Sequence, residues 1–201
     1  IDHTNITLWS TFFTAFLSRI LGESTVRIGS PFPNRNLPKF KNTTGLLIEV
    51  LPIDVHIDEN ETFKSLFQKV RKEFYDFFRN GYPGAQELEK SGGIHFVINY
   101  IPLYFGKFGD LENTAEWLFT NELDQSHQLR LQALDFNDAL NTNYYLDVNE
   151  DYFTDQQLEF IGTHFKNLIE GCLSNDIMRL DRISLVASNE LYGIDHSLVP
   201  Q

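Results

Sequence analysis

The stretch TLWSTFFTAFLSRILGESTVRIGSPFPNR, residues 7–35, decides the architecture. Leu8, Trp9, Phe12, Phe13, Phe16, Leu17, Ile20 and Leu21 recur at helical spacing between Thr7 and Leu21. The apolar stripe is wide, which predicts a helix buried on more than one side. Gly22 follows the last apolar turn and supplies the stop. Thr25 to Gly29 then reads as a short strand, and Ser30 to Lys41, rich in Pro and Asn, reads as a loop. A buried helix that hands over directly to a strand indicates a domain in which helices cover a sheet.

Further along, Leu46 to Ile57 is β-branched and apolar and reads as a second strand. Pro52 within it implies a sheet edge or a bulge. Asp58, Glu59 and Glu61 precede an amphipathic helix whose face is Phe63, Leu66, Phe67, Val70, Phe74, Phe77 and Phe78. Ile94 to Ile101 reads as a third strand, followed by mostly loop to about Leu123. Leu129 to Asp135 and Tyr144 to Asn149 read as further strands. A helix from Thr154 to about Leu173 closes the pattern. Thr154 and Gln157 form a capping box there, with Phe153 and Leu158 as a hydrophobic staple. The two periodic helices predict that Phe67, Val70, Phe74, Ile161, Phe165 and Ile169 are buried. The expected fold is α/β (α+β), a two-layer sandwich of a mixed β-sheet with long helices packed on it. There is no internal repeat and no low-complexity segment.

The chain has 201 residues, 16 basic and 28 acidic, for a net charge of −12. That charge argues against nucleic acid, whose binding needs a basic surface, and against anionic membranes. No apolar run approaches the roughly 20 residues of a membrane span, and no secretion signal opens the chain, so a cytoplasmic location is expected. The one cysteine, Cys172, forms no internal disulfide. The sequons at Asn5, Asn42 and Asn60 read as chance matches in that setting. The start at Ile1 and the lone methionine, Met178, read as a piece of a longer protein.

No recognisable active site emerges from residue types alone. The six histidines are His3, His56, His95, His127, His164 and His196, and none has a partner at metal-ligand spacing. His164 falls off its helix's apolar stripe and reads as a solvated surface residue; His95 reads as a structural histidine in a strand. Asp195, His196 and Ser197 hold triad residue types, but triads assemble through space, so they read as surface tail. Gly92 and Gly93 suit a turn rather than a phosphate loop. Asp147, Glu150 and Asp151 read as a solvated strand end.

Motif order carries a resemblance to a known family. Val26-Arg27-Ile28-Gly29-Ser30-Pro31-Phe32-Pro33-Asn34-Arg35 resembles the condensation-domain pattern of nonribosomal peptide synthetases, a strand running into Gly-Thr/Ser-Pro-x-x-x-Arg. Thr44 to Ile53 is similar to the family's Val-Gly-x-Phe-Val-Asn-Thr-Leu-Pro-Leu strand, with Glu49 in place of the asparagine. Phe63 to Arg71 resembles the Ser-Phe-x-x-Leu-x-x-Val-Arg helix. Tyr145 to Leu158 and the helix after it resemble the closing strand and helix. Leu180 to Val186 resembles the exit segment before an adenylation domain. Arg79 to Gly84 keeps only the proline of His/Asn-Gln-Asp-x-Pro-Phe-Glu, and the Arg-Asp-x-Ser-Arg-Asn-Pro segment is missing, with Lys90 to Ile94 bridging the gap.

The resemblance implies that residues 1–201 form the C-terminal subdomain of a condensation domain, a chloramphenicol acetyltransferase-like half, with about 181–201 leading to a following domain. It implies one wall of a tunnel where carrier-bound acyl donor and amine acceptor are joined by an amide bond. Gly29, Ser30, Asn34, Arg35 and Glu49 are then the candidates for lining that tunnel or meeting a pantetheine arm. For Gly29 and Pro31 turn-shaping is the alternative, and for Arg35 anchoring of a loop through a carboxylate. The family's His-His-x-x-x-Asp-Gly motif is absent, so no catalytic residue and no metal ligand is assigned, and the chain alone is expected to be inactive. Implied partners are the N-terminal half of the domain, peptidyl carrier proteins and an adjacent adenylation domain. Phosphopantetheine would arrive on the carriers, with no cofactor bound directly. A degenerate docking domain without catalysis, or an ester-forming or standalone acyltransferase of the same superfamily, is the alternative reading.

Overall fold

The structure is a computed structural model that describes residues 4–33, 40, 42–80, 93–103, 106–107, 109–111, 113–114, 116–118, 126–136 and 142–186. Its main elements are α1 (Thr4–Leu21), β1 (Thr25–Phe32), β2 (Glu49–His56), α2 (Phe63–Asn80), β3 (Phe96–Leu103), β4 (Leu129–Phe136), β5 (Asn143–Val148) and α3 (Asp155–Ser174). The strands form one mixed sheet in the order β2-β1-β3-β4-β5. β1, β3 and β4 run parallel, and β2 and β5 are antiparallel to their neighbours. Pro52 lies in β2, the edge strand, where a missing ladder donor is tolerated.

Alternation along the strands sorts the two faces. Val26, Ile28, Ser30 and Phe32 of β1 are all buried. They share one face with Leu51 and Ile53 of β2, Ile98 of β3 and Leu129 and Leu131 of β4, and this face carries α1, α2 and α3 in a single core. The opposite face holds the Arg27–Asp54 pair at 2.7 Å and the Arg130–Asp147 pair at 2.9 Å. Gln132 also donates to Asp147, at 2.6 Å. Asp147 is therefore clamped in a half-buried network and is not the solvated strand end that its acidic neighbourhood suggested.

α1 is the central helix of the layer. Phe13, Phe16 and Leu17 are fully buried, and so are the polar Ser10, Thr11 and Thr14 on another side. α2 lies against it on one side, with Phe12 and Phe63 stacked at 4.7 Å, and α3 on the other, with Phe16 and Phe165 edge to face at 5.1 Å. Val70, Phe74, Ile161 and Phe165 are buried as expected, but Phe67 and Ile169 are only half-buried. The core line runs through Phe63, Leu66, Val70 and Phe74 on α2 and through Phe165, Leu168 and Cys172 on α3. Each exception is one residue, about 100° of helical turn, beyond a buried leucine. The α3 capping box is present, Thr154 and Gln157 each bonding the other's backbone N–H.

Three strands depart from the sequence reading; β3 runs from Phe96 to Leu103, two residues later at each end than Ile94 to Ile101. β1 continues through Ser30 and Pro31 to Phe32, because these residues pair with Leu51, Val50 and Glu49 of β2. β2 begins at Glu49 rather than Leu46, which leaves Leu46 89% and Ile48 54% exposed.

Candidate functional site

In mixed sheets, ligand sites gather beyond the carboxyl ends of the parallel strands. Here that end is reached by β1, β3 and β4 and by the amino end of α1. Gly29, Ser30 and Glu49 lie at it or near it, but on different faces. Gly29 pairs with Val97 of β3 and Pro52 of β2 and faces away from the helices. A Cβ there would stand 2.5 Å from Ile94 Cγ2 and 2.7 Å from Val50 Cγ1. The glycine thus permits close packing of the sheet against the segment that precedes β3. Ser30 points the other way into the helix-facing core, fully buried, with its Oγ lacking a hydrogen-bond partner. Glu49 pairs with Phe32, also on the helix side, and one of its carboxylate oxygens, Oε2, is buried without a partner. Asn34 and Arg35 lie outside the described residues.

A polar cluster at the same end was not legible in the sequence. Tyr100 on β3 donates its hydroxyl to Asp135 Oδ2 on β4 at 2.8 Å. Asn5, in the first turn of α1, donates to the Tyr100 hydroxyl at 3.1 Å and to Asp135 Oδ2 at 3.4 Å. Asp135 is only 9% exposed, so these bonds compensate its desolvation. Tyr100 and Phe32 are each three residues past the Gly29–Val97 pairing, and Phe32 pairs with Glu49. Glu49, Phe32 and Tyr100 therefore all face the helix side at this end of the sheet. With Asp135, this rim carries two carboxylates and a phenol. Such a rim can orient amides and hydroxyls of a bound arm; among its described residues no nucleophile is paired with a base as catalysis needs. The separations in sequence, 95 and 130 residues from Asn5, explain why no local motif announced it.

Two histidines depart from the sequence reading, His95 as a structural strand residue and His164 as a solvated surface residue. His95 is exposed and just precedes β3, while His164 is half-buried and stacks on Phe160 with centroids 5.9 Å apart. Cys172 is buried, and burial pushes its thiol up to about 12, against a smaller opposing effect of Arg19. Among the described residues no group of three His, Cys, Asp or Glu could hold a metal ion. No described helix is long and apolar enough to cross a membrane. The sequence Asp195-His196-Ser197 lies outside the described residues.

Comparison with known proteins identifies the class. The sequence model of the condensation domain matches residues 2–192. The chain belongs to the condensation-domain family of nonribosomal peptide synthetases. Over 201 aligned residues it is 23% identical to surfactin synthase subunit 1 of Bacillus subtilis (strain 168), covering 94% of this chain and 6% of that protein. A shorter match, 33% identical over 78 residues and 37% of this chain, is to the cyclosporin synthetase of Tolypocladium inflatum. Among solved structures, the starter condensation domain of rhizomide synthetase in complex with C8-CoA and Leu-SNAC superposes with a TM-score of 0.79. The identity is 18%, and the alignment covers 93% of this chain and 44% of the other. The first condensation domain of the CDA synthetase gives a TM-score of 0.67 at 14% identity, covering 90% of this chain and 42% of that one. The chain thus spans a small part of its curated relatives and under half of these solved domains.

Proposed function

We propose that residues 1–201 are the C-terminal half of a condensation domain and form one wall of the tunnel in which an amine on one carrier protein attacks an acyl thioester on another. The partial coverage carries this reading: nine-tenths of the chain aligns with less than half of a solved condensation domain. The missing His-His-x-x-x-Asp-Gly motif fits a catalyst on the other half. Exposed Leu46 and Ile48 beside the candidate rim fit a surface awaiting that half. The wall's contribution would be positioning. Holding two reactants in line can supply roughly 7–11 kcal/mol of a barrier at the upper end. Phosphopantetheine arms, delivered by the carriers, would lie along the rim containing Glu49 and the Tyr100–Asp135 cluster, with Asn34 and Arg35 as further candidates for contact. The adenylation domain would follow the exit segment. Incubating the chain alone with loaded donor and acceptor carriers should give no amide above background. Product formed by this chain alone would overturn the assignment.

A further inference from the structure

Two buried oxygens at the amino end of β2 lack partners, and the strand register brings them together. Ser30 Oγ is fully buried, and Glu49 Oε2 is the buried oxygen of a half-buried side chain; neither has a hydrogen-bond partner. In the β1–β2 ladder Ser30 pairs with Leu51 and Phe32 with Glu49. Ser30 and Glu49 are therefore diagonal neighbours on the helix-facing side. Such positions stand about 7–8 Å apart, within reach of a long side chain. A buried carboxylate oxygen costs free energy until it meets a donor, and a charged donor serves it best.

The surroundings favour the same sign. Phe32 touches the last turn of α2, with ring centroids 5.3 Å from Phe77 and 6.4 Å from Phe78. The last carbonyls of a helix carry partial negative charge, which adds to that of Glu49. The three rings offer faces to a cation within about 6 Å and apolar surface to an aliphatic stem. Arg79, the basic residue of that turn, is exposed and lies about 200° round the helix from buried Phe77, so it points away. Glu49 and Phe78 are only half-buried, which leaves the spot open to the rim.

We propose that Glu49 and Ser30 form a receptor for a primary ammonium group at the end of an aliphatic stem, the side chain of a basic amino acid in the substrate. An ammonium has three N–H donors; one meets the Glu49 carboxylate, one the Ser30 hydroxyl, and the third stays with water. The stem lies along Phe32 and Phe78. A neutral side chain of the same length would fill the space and leave both oxygens without donors. That the amine belongs to a substrate rests on the tunnel reading; that this spot binds an ammonium group does not.

The test titrates the full 201-residue chain with Nα-acetyl-lysine methylamide and, in parallel, with neutral Nα-acetyl-norleucine methylamide, following the backbone amide resonances of Ser30, Phe32 and Glu49. The lysine probe should shift them saturably and bind about tenfold or more tighter than the norleucine probe. Glu49→Gln should weaken the lysine probe about tenfold or more, and Ser30→Ala should weaken it less, with the amide spectrum away from the site unchanged in both variants. No saturable shift, equal response to the two probes, or a lysine response untouched by Glu49→Gln would overturn the site. Affinity for a supplied N-terminal half of the domain should be the same for Glu49→Gln and the parent; a loss would make the cation a side chain of that half and overturn the substrate assignment. A chain that binds the lysine probe but no N-terminal half would sink the tunnel reading and leave the ammonium site standing.

Discussion

Replacing Gly29 by alanine separates a packing role for this motif glycine from a role in the tunnel. Gly29 is not in the left-handed region, so its backbone accepts a side chain. Alanine would gain about 0.4–1 kcal/mol from the reduced freedom of the unfolded chain. Against this, its methyl would enter space held by Ile94 Cγ2 at 2.5 Å and Val50 Cγ1 at 2.7 Å, with Val97 Cγ2 at 3.4 Å. The neighbours come from two sides, Val50 from β2 and Ile94 with Val97 from β3 and its approach, so no single rotamer change clears the site. Overpacking of this kind costs about 1–3 kcal/mol. The expected net loss is about 1–2 kcal/mol. At a urea slope near 2 kcal/mol/M this lowers the midpoint by about 0.5–1 M. The same substitution should cost measurably less in an Ile94→Ala background, giving a favourable coupling in the double-mutant cycle. A Gly29→Ala chain as stable as the parent, or an equal cost in both backgrounds, would refute the packing argument.

Three further outcomes follow from buried polar groups. Glu49→Gln removes a charge from a carboxylate whose Oε2 is buried without a partner, and should stabilise the fold by about 1 kcal/mol in urea melts. Tyr100→Phe removes the hydroxyl between Asn5 and Asp135 and should cost about 1–3 kcal/mol, with less loss when Asp135→Asn is already present. Cys172 should resist a thiol reagent at pH 8 in the native chain and react at once in denaturant. Its folded-state value is raised, so the unfolded chain ionises first. Stability tied to this thiol is therefore present below about 9 and lost as pH rises towards 12.

The helices and the layer arrangement were legible because their signals are local. α1 and α3 show apolar residues at 3–4 residue spacing, and the Thr154–Gln157 capping box marks its helix start to within one residue. Phe67 and Ile169 lie at the margin of their stripes, where periodicity alone does not separate buried from half-buried. β1 was read three residues short because Ser30 and Pro31 carry turn propensity. Pairing with β2 overrides it, and Pro31 needs no donor towards β3, whose pairing with β1 is confined to Gly29 and Val97. Of the candidate site, the Gly29–Ser30 motif could be found in the chain, but not that its two residues face opposite sides. The Asn5–Tyr100–Asp135 cluster depends on the sheet order, which joins β3 to β4 under the start of α1, and nothing local encodes it.

One half of a two-part domain should bind the half that completes it. Sedimentation velocity of the chain, alone and titrated with the N-terminal half of a condensation domain from the same synthetase, tests it most directly. A one-to-one complex with the supplied half is expected. The isolated chain should self-associate more strongly as salt rises, because repulsion from its net charge of −12 is screened over a Debye length of about 3 Å at 1 M. A strictly monomeric chain at every salt concentration, with no affinity for the N-terminal half, would contradict it.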